Sequence, residues 1–347
     1  MLLSSFTAVH YKGIDGVSLP CLSRANLITG VNGVGKTALI EAIWLFMGRY
    51  NPTLLWNANV QRARNPVRDP VSRLSGPVLE LHGTEEGQDH DVRWTFEPVL
   101  ELVQPLTVGE GAERMVQLPV AGRIDTYLDG TLAKGSIGGM QPTSAGIVKH
   151  ENPLPPAPRP NCVIEGTRYQ LETSVEFLRR YSELVRENRK QELKDAMGMI
   201  LPAVSDFEIL TDEQNESYLS GVTADGKQLS LHDLGGGVLR LCQLFLSCFA
   251  SRGGILLADE VENGIHHSAL PEVWNRTRQW MGKWSVQLVA TTHSAECIEA
   301  ATKAFADAPD ELSVHRLFTD RETGKVRAAT FTGETLEGAR DLNLEIR

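Results

Sequence analysis

The stretch Gly30-Val31-Asn32-Gly33-Val34-Gly35-Lys36-Thr37 constrains the fold of this 347-residue chain more than any other. It fits G-x-x-x-x-G-K-[ST] at every position. Apolar ANLITG runs into it, and KTALIEAIWLFMGRY follows with Leu39, Ile40, Ile43, Trp44 and Met47 at helical spacing. A strand, a glycine loop and a helix in this order open a parallel α/β sheet. Each residue type has a physical reason. Glycines let the backbone curl until its N–H groups converge on phosphate oxygens, and the helix N-terminus adds its positive end. Lys36 then reaches the β- and γ-phosphates of a nucleotide, and the Thr37 hydroxyl joins a Mg2+ shell. The expected nucleotide contacts are Asn32, Gly33, Val34, Gly35, Lys36, Thr37 and Ala38. A loop that only turns the chain would explain the glycines but not the lysine and threonine.

A second stretch, ILLADEVENGIHHS at 255–268, carries the other chemistry. Its four apolar residues read as a buried strand, so Asp259 and Glu260 emerge at the carboxyl end, where ligands bind in open α/β sheets. Beside a P-loop, Asp259 is expected to hold Mg2+, directly or through water, and Glu260 to orient and deprotonate the attacking water. A transition-metal site using His266 and His267 is the alternative. Adjacent residues point apart, however, and the His-x-x-x-His spacing of helical zinc sites is absent. The apolar run VQLVATT ends at His293-Ser294, which places His293 where it can hydrogen-bond a γ-phosphate. Alone, such a histidine is more often a packing residue or helix cap. Leu234-Gly235-Gly236-Gly237 opens an apolar helix and reads as a second phosphate nest. Two such loops would be redundant for one nucleotide in one protomer. The second is therefore expected to reach a nucleotide bound by another protomer, unless it merely launches its helix.

Residues 51–77 hold Arg62, Arg64, Arg68 and Arg73 among prolines and read as loop with short helical pieces. From 78 to about 135 short alternating runs, with Asp129-Gly130 as a turn, predict an antiparallel β-subdomain. The glycine- and proline-dense stretch 135–160 reads as a long loop or linker. Between 172 and 200, Phe177, Leu178, Tyr181, Leu184 and Val185 form one helical stripe, and Leu193, Ala196, Met197 and Ile200 a second. Arg179, Arg180, Arg186, Arg189 and Lys190 are read as a solvated outer face. The last third predicts helices at 238–250, around 268–282 and over SAECIEAATKAF. It also predicts strands over GGILLA and SVQLVATT, a strand pair around Glu322-Thr323-Gly324, and a short helix near 333–341. The expected division is 1–77 and 205–347 for the two parts of one head, with 78–204 between them.

Apolar residues make up 41% of the chain and charged ones 22%, enough for a sizeable core. A net charge of −10 argues against a surface that is one nucleic-acid footprint. The five scattered cysteines form no C-x-x-C pair, which suits reduced thiols. The N-terminus lacks the basic start and apolar core of a signal peptide, and the most apolar window, 238–250, is too short to span a bilayer. A soluble, cytoplasmic protein without membrane contact is expected.

Taken in order, G-x-N-G-x-G-K-T, the glycine stretch, D-E-x-E-N-G-x-H (Asp259–His266) and T-T-H-S (Thr291–Ser294) resemble the ABC-type P-loop ATPases of the SMC, RecF and OLD lineage. The likeness is greatest to stand-alone prokaryotic OLD-like "AAA family ATPase" proteins. It covers about 1–50 and 205–347; the middle matches in layout alone. The resemblance implies an α/β ABC-type ATPase head: a mixed, mainly parallel central sheet flanked by helices, with an antiparallel β-subdomain and a helical insert. It implies ATP and Mg2+ sandwiched between the heads of a homodimer. Gly235, Gly236 and Gly237 would face the partner's ATP, Glu260 would be the hydrolytic base, and His293 the switch histidine. Glu262, Asn263, Gly264 and His266 would form the D-loop at the dimer interface. The transporter signature Ser-Gly-Gly-Gln is not present, and Gln61 is the candidate for the Q-loop glutamine in the Mg2+ shell. A transporter ATPase is disfavoured by the long insert between the motifs. OLD nucleases append a Toprim domain, so nuclease activity here is expected from a partner. The resemblance points to an ATP-driven switch acting on a partner effector, possible nucleases included, in anti-phage defence. The alternatives are a RecF-like ATPase acting on DNA in repair, and a nucleotide-sensing scaffold with negligible hydrolysis.

Overall fold

The computed structural model describes residues 3–50, 78–100, 106–107, 113–114, 119–139, 148–149, 162–165, 173–198, 201–213, 215–231, 233–333 and 335. In chain order the elements begin with β1 (Leu3–His10), β2 (Val17–Leu19), β3 (Ala25–Thr29) and α1 (Lys36–Met47). Then come β4 (Val78–Glu85), β5 (Gln88–Leu100), β6 (Leu106–Thr107), β7 (Glu113–Arg114), β8 (Pro119–Leu128), β9 (Thr131–Gly139), β10 (Val148–Lys149) and β11 (Cys162–Glu165). Two helices follow, α2 (Thr173–Arg186) and α3 (Lys190–Gly198), and then β12 (Val204–Thr211), β13 (Ser217–Thr223) and β14 (Gln228–Ser230). The last part holds α4 (Gly236–Ala250), β15 (Ile255–Ala258), α5 (Leu270–Trp284), β16 (Gln287–Thr291), α6 (Ala295–Ala304), β17 (Leu312–Thr319) and β18 (Val326–Thr332).

The sheet that carries the site has the order β11-β15-β16-β3-β17-β18. It is parallel from β11 to β17, and β18 closes it antiparallel to β17. Strands β3, β15 and β16 are buried at every position, as continuous apolar strands of a two-sided sheet must be. Alternate residues feed two separate cores. Ile255, Leu257, Val289 and Ile28 pack with α1 and with β1, β2 and β4. Leu256, Ala258, Leu288, Ala290 and Leu27 pack with α4, α5 and α6. The period-2 alternation of strand side chains produces this division.

The second sheet has the order β10-β9-β8-β5-β4-β1-β2 and is antiparallel at each register resolved. It corrects the expected division of the chain. The opening strand β1 pairs with β2 and β4 in this sheet and not in the parallel one, because β3 already has β16 and β17 on its two edges. Phe6 of β1 lies edge-on to Phe46 of α1, with ring centroids 5.7 Å apart, so this sheet packs against the P-loop helix. Arg49, just past α1, reaches Glu85 of β4 at 2.6 Å. Segment 162–165, inside the expected middle region, is an edge strand of the parallel sheet beside β15. Neither 77/78 nor 204/205 is therefore a sheet boundary. Residues 135–139, expected to be loop, form the end of β9 against β8, where glycines still supply ladder hydrogen bonds.

The two helices at 173–198 do not stand apart from the head. Tyr181, Leu184, Leu193, Ala196 and Met197 share a core with Leu241 and Phe245 of α4. Arg180, expected on a solvated face, is buried, and its Nη1 donates to Ser247 Oγ at 2.8 Å. Its aliphatic stem packs inward while the guanidinium finds a polar partner. The meander β12-β13-β14 was not anticipated; it leads directly into the glycines before α4. Beyond Gly333 the expected short helix lies largely outside the described residues. Among the described residues no helix is long and apolar enough to cross a membrane.

Candidate nucleotide site

The P-loop has the backbone that its glycines predict. Gly30, Gly33 and Gly35 have φ of 136°, 80° and 112°, in the region that residues with a Cβ avoid. Gly35 caps α1 without any side-chain hydrogen bond, and the first turn contains no acidic residue. The first-turn N–H groups are thus offered to an anion from outside the helix, the arrangement that suits a phosphate. Lys36 Nζ lies back across the loop, donating to Gly30 O at 2.7 Å and Val31 O at 3.1 Å, with His293 Nδ1 at 3.2 Å. Burial lowers the Lys36 pKa from its ordinary value, opposed by the charges of Asp259, Glu260 and Glu262.

Asp259 leaves the end of β15 almost fully buried, 3% exposed. Its Oδ2 accepts from Thr37 Oγ1 at 2.9 Å, and its Oδ1 accepts from Thr291 Oγ1 at 2.6 Å. Two cis ligands of an octahedral Mg2+ with bonds near 2.1 Å stand roughly 2.9 Å apart, so the Thr37 and Asp259 oxygens fit such an ion. One hydroxyl and one carboxylate, with the remaining positions left to phosphate and water, make an all-oxygen donor set of the kind that suits Mg2+. Among the described residues no group of three or more His, Cys, Asp or Glu side chains could hold a metal ion. The paired histidines are otherwise engaged. Their ring centroids lie 4.1 Å apart, and His266 caps the 3-10 turn at His267–Ala269 by accepting from Ser268 N.

Glu260 adopts φ of +50°, left-handed for a residue with a side chain. Its Oε1 lies 4.0 Å from His293 Nε2. The structure therefore gathers Lys36, Thr37, Asp259, Glu260 and His293 at the carboxyl ends of β3, β15 and β16. Glu262, expected at the dimer interface, is half-exposed and bonded to the turn after β16. Its Oε1 accepts from His293 N at 2.8 Å, and its Oε2 is enclosed with no hydrogen-bond partner among the described residues. The carboxylate is taken up inside its own chain, because the turn after Glu260 folds back towards the end of β16. Asn263, Gly264 and His266 are exposed, as are Gly235 and Gly236. The glycine loop and the turn touch each other: a Cβ on Gly237 would stand 2.8 Å from Gly264 O. Gln61 lies outside the described residues.

Two residues of the site were given no role from the sequence, although Thr291 lies in the T-T-H-S run. Thr291 is fully buried, and its hydroxyl donates to the Asp259 carboxylate and accepts from the Glu260 backbone N–H; the parallel register Ala258↔Ala290 sets it beside Asp259. Arg240, 7% exposed on α4, donates from Nη2 to Asp259 O at 2.9 Å and Glu260 O at 3.2 Å. The available signal was an arginine inside an otherwise apolar helix.

The chain is similar to several known proteins. A family model described as "AAA domain, putative AbiEii toxin, Type IV TA system" matches residues 171–299, which include the glycine loop, Asp259, Glu260 and His293. A Helicobacter pylori (strain ATCC 700392 / 26695) protein described as "ATP/GTP phosphatase" is 20% identical over 370 residues, covering 97% of each chain. An SMC head bound to the C-winged helix domain of ScpA superposes with a TM-score of 0.55 at 12% identity, covering 98% of this chain and 100% of that one. A second SMC head, with an extended coiled coil and bound to the C-terminal domain of ScpA, derives from Pyrococcus furiosus. Its TM-score is 0.51 at 13% identity, covering 100% of this chain and 99% of that one. The fold is that of an ABC-type P-loop ATPase head.

Proposed function

We propose that this ABC-type P-loop ATPase head binds ATP with Mg2+, hydrolyses it, and works as a dimeric switch on a partner effector. The observation that carries the reading is the convergence of Thr37 and Asp259 at 2.9 Å with Lys36, Glu260 and His293 around them. Bound Mg2+ would offset charge on the phosphate oxygens. The chain's own groups have separable tasks. Gly33, Gly35 and the first turn of α1 offer N–H groups to the phosphates. Lys36 exchanges its carbonyl partners for phosphate oxygens. Glu260 accepts a proton from water, and His293, held through its N–H by Glu262, presents Nε2 beside that carboxylate.

The exposed Gly235, Gly236, Asn263, Gly264 and His266 support a second copy as the other half of the site. The family description, which names a putative toxin, supports an effector partner in a defence system, and the ScpA-bound SMC heads support a protein partner. A cytoplasmic setting suits the nucleotide. Steady-state ATP turnover of the wild type against Glu260→Gln tests the hydrolytic reading. A fall of about 100-fold is expected on loss of a general base. Equal rates would leave a nucleotide-sensing scaffold instead.

A further inference from the structure

The dipeptide Asp259-Glu260 is gripped from two sides by residues outside the sequence motifs of P-loop, glycine loop and acid pair. From β16, one hydroxyl makes two bonds: Thr291 Oγ1 donates to Asp259 Oδ1 at 2.6 Å and accepts from Glu260 N at 2.8 Å. From α4, Arg240 Nη2 donates to the carbonyl oxygens of the same two residues, at 2.9 and 3.2 Å. The residue between these contacts, Glu260, has φ of +50°. A residue with a Cβ adopts that conformation where surrounding contacts over-determine it. Both gripping side chains are buried, and a buried guanidinium is retained at a cost in solvation that an apolar side chain would avoid.

We propose that Thr291 and Arg240 are positioning residues: together they hold Glu260 in its left-handed conformation and so aim its carboxylate, while Thr291 turns Oδ2 of Asp259 towards Thr37. The two grips come from elements that serve different parts of the site. Thr291 stands two residues before His293, on the strand that carries the switch. Arg240 stands on the helix opened by Gly235–Gly237, whose loop packs on Gly264. A change in the seating of α4 is thereby transmitted to the Glu260 backbone within one chain. The inference rests on the hydrolytic reading for its catalytic consequence but not for its geometry.

The test combines amide hydrogen exchange at Glu260 in the nucleotide-free full chain with steady-state ATP turnover. Thr291→Val keeps the side-chain shape and removes the hydroxyl; Thr291→Ser keeps the hydroxyl. The valine variant should exchange the Glu260 amide at least about 10-fold faster, since that N–H loses its acceptor. Its kcat should fall about 10- to 100-fold, as a misplacement near 1 Å produces, with KM for ATP nearly unchanged. The serine variant should restore both. Exchange at the wild-type rate in Thr291→Val, or equal impairment of the serine variant, overturns the proposal. If Thr291→Val does not fold, Arg240→Lys, which keeps the charge but not the reach, takes its place: a lowered kcat at unchanged KM supports the grip, and wild-type kcat overturns it. Should Glu260→Gln turn over as fast as the wild type, the hydrolytic reading fails, while the exchange result still decides the grip.

Discussion

Two neighbouring glycines at the start of α4 should respond oppositely to the same substitution. At Gly237 a Cβ would stand 2.8 Å from Gly264 O and 3.8 Å from Ile265 Cα. Ordinary van der Waals contact needs about 0.6 Å more, and the obstacle is backbone, which cannot swing aside. Overpacking of this kind destabilises by about 1–3 kcal/mol, against which alanine regains about 0.5–1 kcal/mol of helix propensity. Gly237→Ala should therefore lose up to about 2 kcal/mol, roughly 30-fold in the folding equilibrium. At Gly236 a Cβ meets nothing within 4 Å and φ is not left-handed, so Gly236→Ala should be neutral or stabilised by a few tenths of a kcal/mol. Urea unfolding of both variants, checked for coincidence of two probes, reads the difference. Equal midpoints for the two would refute the claim that the glycine loop is pressed onto Gly264. The methyl of Gly236→Ala would lie on the exposed face assigned to the partner, so this variant should fold normally yet weaken ATP-dependent dimer formation.

Two other consequences concern the P-loop and the sheet. Lys36→Ala should lose ATP binding by at least about 10-fold in a filter assay, because the phosphates lose a charge-assisted partner; retained tight binding would count against the loop assignment. His315, buried on β17 between Thr330 Oγ1 and Asn26 Oδ1, has its imidazole pushed by burial down to about 4 from the ordinary 6.5. It is neutral in the folded chain, whereas the unfolded chain takes up a proton below 6.5. Its contribution is complete above pH 6.5 and is lost as pH falls towards 4, by roughly 3 kcal/mol. His315→Gln should flatten that acid limb in unfolding experiments, and an unaltered limb would show that other groups set it.

The parts of the site legible in the sequence are those in which residue type and flanking pattern speak together. Lys36 and Thr37 follow a glycine loop between an apolar strand and a helix, and Asp259 and Glu260 follow four apolar residues; both readings depend on local chain alone. The strand and helix rhythm of the last third was legible for the same reason. What escaped depends on distant partners. Thr291 falls in the T-T-H-S run, but its partners appear only when the β15–β16 register sets it against Asp259. Arg240 reads as a polar interruption of an apolar helix until its acceptors, two backbone carbonyls, are in place. Strand β11 is four residues in a proline-rich stretch and acquires its identity from β15. Likewise, nothing in β1 itself says that β4 and not β3 will be its neighbour; that follows from both edges of β3 being taken. The meander at 204–230 carried a readable turn, Asp225-Gly226, but burial along its strands does not alternate strictly, so the period-2 signal is weak.

The central claim is that one nucleotide is completed by two chains and released by Glu260. Light scattering on Glu260→Gln, with and without ATP and Mg2+, tests it most directly. The account predicts a particle of one chain's mass without nucleotide and twice that mass with ATP, stable over the run because hydrolysis is blocked. A single-chain mass in both conditions, at ATP concentrations shown to saturate binding, would contradict it.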